Sequence, residues 1–217
     1  MVSRWHCSGC SRRPSCPCAP TPSCAPCDGC SVDDHLIEEV IASEEVFKGK
    51  LLHIRSDRVR LPNGGESIRE VVEHPGAVLV IAVLENGKLL FERQYRHPLR
   101  QVFLELPAGK IDAGEHILDT ARRELREETG YKAKIWRHLA TTHPCIGYSD
   151  EHIEIFMAHG LSYIGHERDQ EEFLEVIELS LADAMAAIRD GEITDGKTIV
   201  GLLWAEKILS NVWPPPA

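Results

Sequence analysis

GKIDAGEHILDTARRELREETGY, residues 109–131, changes character part-way along. Pro107, Gly109 and Gly114 mark a turn-rich approach. The remainder has the periodicity of a helix ending near Gly130, a residue suited to the left-handed position that closes helices. Leu118, Ala121 and Leu125 recur at spacings of three and four and predict one buried stripe. Glu124 and Glu128 lie four apart, so their carboxylates stand one above the other on a neighbouring face, with Glu127 beside them. Like charges at that spacing destabilise a helix, and the C-terminal end of the macrodipole disfavours anions. A stretch that breaks a local rule in this way marks a candidate functional site. Clustered oxygens suit a hard divalent cation such as Mg2+, whose shell a substrate phosphate usually completes. The plainer reading is a solvated acidic face with Arg122, Arg123 and Arg126 as local partners.

The whole string also fits the pattern G-x5-E-x7-R-E-U-x-E-E-x-G-U, where U is a bulky apolar residue. The fixed positions are Gly109, Glu115, Arg123, Glu124, Leu125, Glu127, Glu128, Gly130 and Tyr131. It resembles the Nudix box, a far more specific signal than a short motif. The resemblance implies an α+β fold, the Nudix αβα sandwich around a mixed sheet with antiparallel strands in front of it. It also implies an enzyme that cleaves a nucleoside diphosphate linked to another group, using Mg2+ or Mn2+.

Residues 93–115, RQYRHPLRQVFLELPAGKIDAGE, are similar to the ADP-ribose pyrophosphatase subgroup. Its Q-x-R element and E-L-P-A-G approach to the box are matched by Gln94, Arg96, Glu105, Leu106, Pro107, Ala108 and Gly109. By that resemblance Glu124, Glu128 and the carbonyl of Ala108 hold metal, and Arg123 orients the glutamates. Glu127 is a further ligand or an alternative base, and Glu105 binds metal or orients Arg123. Arg96 clamps substrate, since a planar guanidinium suits bidentate binding of phosphate; a surface salt bridge is the alternative. Pro144, Gly147 and Glu151 form a P-x-x-G-x-x-x-E segment that also resembles the subgroup, where Glu151 would contact substrate across a dimer. Otherwise Glu151 is the solvated start of a strand carrying Ile153, Ile155 and Met157. The acidic loop 165–172, GHERDQEE, stands where the subgroup supplies its water-activating carboxylate and a further metal ligand. Glu171 and Glu172 are the candidates. Aligned by the following strand, Glu172 takes the metal-ligand position and Gln170 falls near the usual base.

Composition narrows the field. The chain has 217 residues, of which 43% are hydrophobic, enough for a proper core. A net charge of −10 argues against a nucleic-acid backbone as partner. No apolar run approaches a membrane span and no N-terminal pattern suggests a secretory signal, so a soluble cytoplasmic protein is the default expectation. The first 32 residues differ in composition from the rest and hold all but one of the eight cysteines: Cys7, Cys10, Cys16, Cys18, Cys24, Cys27 and Cys30. Cys7-x2-Cys10 and Cys24-x2-Cys27 have zinc-knuckle spacing, but the segment between them has no strand pattern and little apolar content. A disordered Cys/Pro-rich extension is the expectation, with zinc as the alternative and translation from Val32 or Val40 as another. Residues 33–217 are expected to form the Nudix hydrolase domain, with N-terminal strands over about 45–74 and a catalytic core over about 76–210.

The resemblance to the ADP-ribose pyrophosphatase subgroup implies metal-dependent hydrolysis of ADP-ribose to AMP and ribose 5-phosphate, by a homodimer. The alternatives are another nucleoside diphosphate sugar, a dinucleotide (NADH if the cysteines bind zinc), or a non-catalytic ADP-ribose sensor.

Overall fold

The computed structural model describes residues 33–165 and 173–214. It begins with an antiparallel meander: β1 (Glu39–Lys48), β2 (His53–Arg60) and β3 (Glu66–Glu73). In the sequence, residues 45–61 read as one strand-like run starting later than Glu39. The structure divides that run at Gly49, whose amide donates to the Leu52 carbonyl at 2.8 Å and closes a tight turn. The apolar residues Val46, Phe47, Leu51 and Leu52 never kept a period of two across this point, which is the physical sign of the break. The Pro62-Asn63-Gly64-Gly65 turn stands between β2 and β3, with Gly64 at φ 85.

The rest of the described chain runs β4 (Ala77–Ala82), β5 (Leu89–Arg96), β6 (Gln101–Glu105), β7 (Ala108–Lys110), α1 (Ile117–Thr129), β8 (Tyr131–Lys132), β9 (Ile135–Thr142), β10 (Ile153–His159), β11 (Ser162–Tyr163), β12 (Leu174–Leu179), α2 (Leu181–Arg189) and α3 (Gly196–Leu209). One sheet has the order β7-β4-β10-β9, in which β4 and β10 are parallel and the other pairs antiparallel. A second, antiparallel sheet has the order β12-β5-β6. The short strands β6 and β7 do not stand out as strands in the sequence, because Pro107 lies between them and Gly109 lies within β7.

Alternation along β4 builds the sandwich. Val78, Val80 and Ala82 face α1, where they pack with its Ala121 and Leu125 and with Phe156 of β10. Leu79, Ile81 and Val83 face the other way, onto Ala184, Leu202 and Ala205 of α2 and α3. A strand buried on both faces reads as a continuous apolar run, which is what residues 77–83 are. Side chains cap both helices: Ser180 Oγ accepts from the Asp183 amide at 3.1 Å, and Asp195 Oδ2 from the Thr198 amide at 3.0 Å. α3 lies close on the sheet at Gly201, where a Cβ would stand 2.7 Å from Leu79 Cδ2.

Leu79 is therefore a keystone between β4 and α3. Leu79→Ala should lower unfolding free energy by about 2–5 kcal/mol, read as a lower denaturant midpoint at unchanged m-value.

Candidate active site

The site grows from the contact between α1 and β7. His116 caps the helix through Nδ1, which accepts from the Leu118 amide at 3.2 Å, and Gly130 closes it at φ 76. The helix lies so close over β7 that a Cβ on Gly109 would come within 1.9 Å of the Glu124 carboxyl carbon. Only glycine leaves room for Glu124 where it stands. One residue earlier, the Ala108 amide donates to Glu128 Oε2 at 3.1 Å. Both stacked glutamates thus lean on the β7 backbone, and they are buried, with 9% and 4% of their surface exposed. They are not a solvated face.

Arg123 gathers the other carboxylates. Its Nε and Nη2 donate to Glu115 at 3.1 and 2.9 Å, and Nη1 donates to Glu124 at 2.8 Å and to Glu127 at 3.2 Å. Nη2 also reaches the Lys110 carbonyl at 3.1 Å, tying the guanidinium to the end of β7. The Arg123 hydrogen bond, helped by the Thr120 hydroxyl at 2.9 Å, holds the Glu115 carboxyl down at about 2. Arg122 instead pairs with Asp119 on the exposed side.

A second cluster rises from β5 and β6. Leu90 and Glu92 share the face of β5 directed at α1, with Gln94 and Arg96 continuing the column. Glu105 stands directly opposite Glu92 in the β5–β6 register. Arg96 grips Glu105 with both ends of its fork, Nε to Oε1 at 2.7 Å and Nη2 to Oε2 at 2.9 Å. The Lys197 ammonium, on the first turn of α3, bonds Glu105 as well, and Asp195 at 2.9 Å. Burial works to raise the Glu105 carboxyl, but Arg96 and Lys197 outweigh it and hold it below its usual value. Glu105 is engaged by Arg96 and Lys197 rather than by Arg123. Leu99, Phe103, Glu105, Arg96 and Lys197 line a cleft of about 400 Å3.

Glu92 is different. It is fully buried, and neither carboxyl oxygen has a donor group among the described residues. Burial, with the Glu105 charge beside it, pushes it up to about 8 against the pull of Arg96, Lys197 and the Glu128 carboxyl. Sequence reasoning passed over Glu92 and Lys197. For Glu92 a signal existed: a charge placed at the inward parity of the apolar run Leu89-Leu90-Phe91. For Lys197 none did, because its partner Glu105 is remote in sequence.

Residues 73–199 match the NUDIX domain, and residues 38–72 match the nucleoside diphosphate sugar hydrolase N-terminal domain. The chain belongs to the Nudix family. It is 41% identical over 173 residues to the ADP-ribose pyrophosphatase of Bacillus subtilis, covering 79% of this chain and 94% of that protein. It is 37% identical over 180 residues to an ADP-ribose pyrophosphatase of Mycobacterium tuberculosis, covering 82% and 87%. It is also 40% identical over 171 residues to the methanol dehydrogenase activator of Bacillus methanolicus, covering 78% and 92%. A solved ADP compounds hydrolase superposes with a TM-score of 0.73 at 23% identity, over 81% of this chain and 95% of that one, and so shares the fold.

Nudix hydrolases generally use a divalent metal, and the donor set of this Nudix chain suits one. Glu124 and Glu128 are stacked out of bulk water against a glycine that admits no side chain, and Glu92 leaves carboxyl oxygens unsatisfied beside them. Among the described residues no three acidic, histidine or cysteine side chains stand already gathered as a cage; Arg123 bonds Glu115, Glu124 and Glu127 instead. Glu151 lies at the seam between β3 and the segment before β10. Its amide donates to Ser149 Oγ at 3.2 Å and its carboxylate is 3.8 Å from His74 Nδ1. These contacts tie it to the seam rather than to Arg96 or the α1 glutamates. Glu171, Glu172 and the N-terminal cysteines lie outside the described residues. Cys145 is half-buried, and its Sγ accepts from the Tyr148 hydroxyl at 3.1 Å.

A carboxyl held below its unfolded value stabilises the fold above that value, and the contribution fades as pH falls through the folded one. Glu115→Gln should therefore lower Tm near neutral pH. The gap between wild type and variant should close between about pH 4.5 and pH 2 in thermal melts across that range.

Proposed function

We propose that this protein hydrolyses the diphosphate of ADP-ribose to AMP and ribose 5-phosphate, with Mg2+ or Mn2+. The observation that carries the reading is the buried pair Glu124 and Glu128, packed against Ala108 and Gly109. With its carboxyl carbon where a Gly109 Cβ would stand, Glu124 lies directly over β7, next to the Glu128 carboxylate that the Ala108 amide holds. The relatives named as ADP-ribose pyrophosphatases support the choice of substrate.

In this reading Glu124, Glu128 and the Ala108 carbonyl hold the cation, with Glu172 as a further ligand from the 165–172 loop. The bound ion neutralises the diphosphate and polarises phosphorus. Arg123 sets the rotamers of Glu124 and Glu127 through its hydrogen bonds to both. Arg96, braced by Glu105, presents its guanidinium to a substrate phosphate. A water attacks one phosphorus, the bridging P–O bond breaks, and the proton passes to a carboxylate. Glu127 and Glu171 are the candidate acceptors. Glu151 contacts substrate from the seam.

The protein acts as a homodimer joined through the N-terminal sheet. Val40, Val46, Phe47 and Ile68 there are half or more exposed, an apolar load that a second copy would cover. A second substrate reading, another nucleoside diphosphate sugar, is favoured by the match of residues 38–72 and by relatives described as GDP-mannose pyrophosphatases.

A panel of ADP-ribose, GDP-mannose and NADH with Mg2+, scored by kcat/KM with products separated by chromatography, decides among them. ADP-ribose should lead and give AMP. A GDP-mannose preference would keep the chemistry and replace the substrate. Glu128→Gln should cut kcat at least about a hundredfold at nearly unchanged Tm, because it removes one cation ligand and little packing.

A further inference from the structure

Glu92 has no part in the mechanism above, and its position is costly. It is fully buried beneath α1, follows the apolar Leu89, Leu90 and Phe91, and receives no hydrogen bond from any donor among the described residues. A buried carboxyl group with both oxygens left without a hydrogen-bond partner is costly whether neutral or ionised. Its own strand partner offers no relief: Glu105 stands opposite, and the cations there, Arg96 and Lys197, are already bonded to Glu105. Toward α1 it meets the carboxyl of Glu128. Gln94 Oε1, two residues along the same face, is likewise buried and without a donor. The column therefore turns a series of acceptor oxygens toward the helix that carries Glu124 and Glu128, and the missing complement is positive.

We infer that Glu92 is a further cation-holding residue, whose carboxylate joins that of Glu128 in binding the divalent ion or one of the ion's own waters. The inference rests on the reading that Glu124 and Glu128 hold such an ion. It extends the donor set from the helix to the sheet beneath it. A cation held only by α1 and β7 can shift with the helix, whereas Glu92 anchors it to a strand packed on both faces.

The test is Mn2+ binding to the full chain without substrate, followed by the electron paramagnetic resonance signal of free Mn2+ and by Tm with and without the ion. Glu92→Gln keeps the volume and removes the group that can ionise onto a cation. It should weaken Mn2+ binding by about tenfold or more and shrink the Mn2+-induced rise in Tm. Glu128→Gln is the control. If Glu128→Gln loses Mn2+ while Glu92→Gln binds it as wild type does, Glu92 is only a buried structural carboxyl and the inference falls alone. If both variants bind as wild type does, the metal reading of the site falls with it. Should Glu92→Gln fail to fold, Glu92→Asp draws the charge back by one methylene; weakened Mn2+ binding there supports the inference and unchanged binding overturns it.

Discussion

Carboxylates crowded out of water must be compensated, and most of this molecule's organisation follows from how that is done. Arg123 compensates Glu115, Glu124 and Glu127 from within the same helix, and Arg96 with Lys197 compensates Glu105 from β5 and α3. The β7 backbone supplies an amide to Glu128 and clearance for Glu124. In a low-dielectric setting such pairs are strong only when the geometry is fixed, and removing one partner leaves an uncompensated charge. The fold therefore needs elements that do not shift relative to one another.

The sandwich provides them. β4 is apolar on both faces, so α1 is pressed to one side of the sheet and α2 with α3 to the other. Thr198 Oγ1 accepts from the Leu106 amide at 3.0 Å, which locks the first turn of α3 to the end of β6 and delivers Lys197 to Glu105. The position of a charge on one helix is thus set by a core contact one residue away from it.

Periodicity is enough to read α1 and the doubly buried β4, because those features are local: a stripe at three and four and a continuous apolar run. The box itself gave Glu124 and Glu128 by spacing alone. What spacing could not give was depth. A stacked glutamate pair reads the same whether solvated or packed under a sheet, and only the contact with Gly109 separates the two. The break at Gly49 was harder to see, since a glycine within an apolar stretch does not say on which side the chain turns back. Glu92 and Lys197 owe their meaning to partners reached through strand register and helix packing, which no short window contains. The 165–172 loop offers composition without periodicity, so it yields candidates and no ranking beyond an alignment by the next strand.

Arg123 has a consequence for the order of events when the protein is made. Domains whose acidic or thiolate ligands have no internal counter-charge stay unfolded until their metal arrives. Here the counter-charge is encoded in the same helix, one residue before Glu124. The helix can therefore form with its carboxylates compensated by Arg123 and without an ion to neutralise them. Ion binding then adds to the stability of a fold whose acidic helix already carries its own counter-charge.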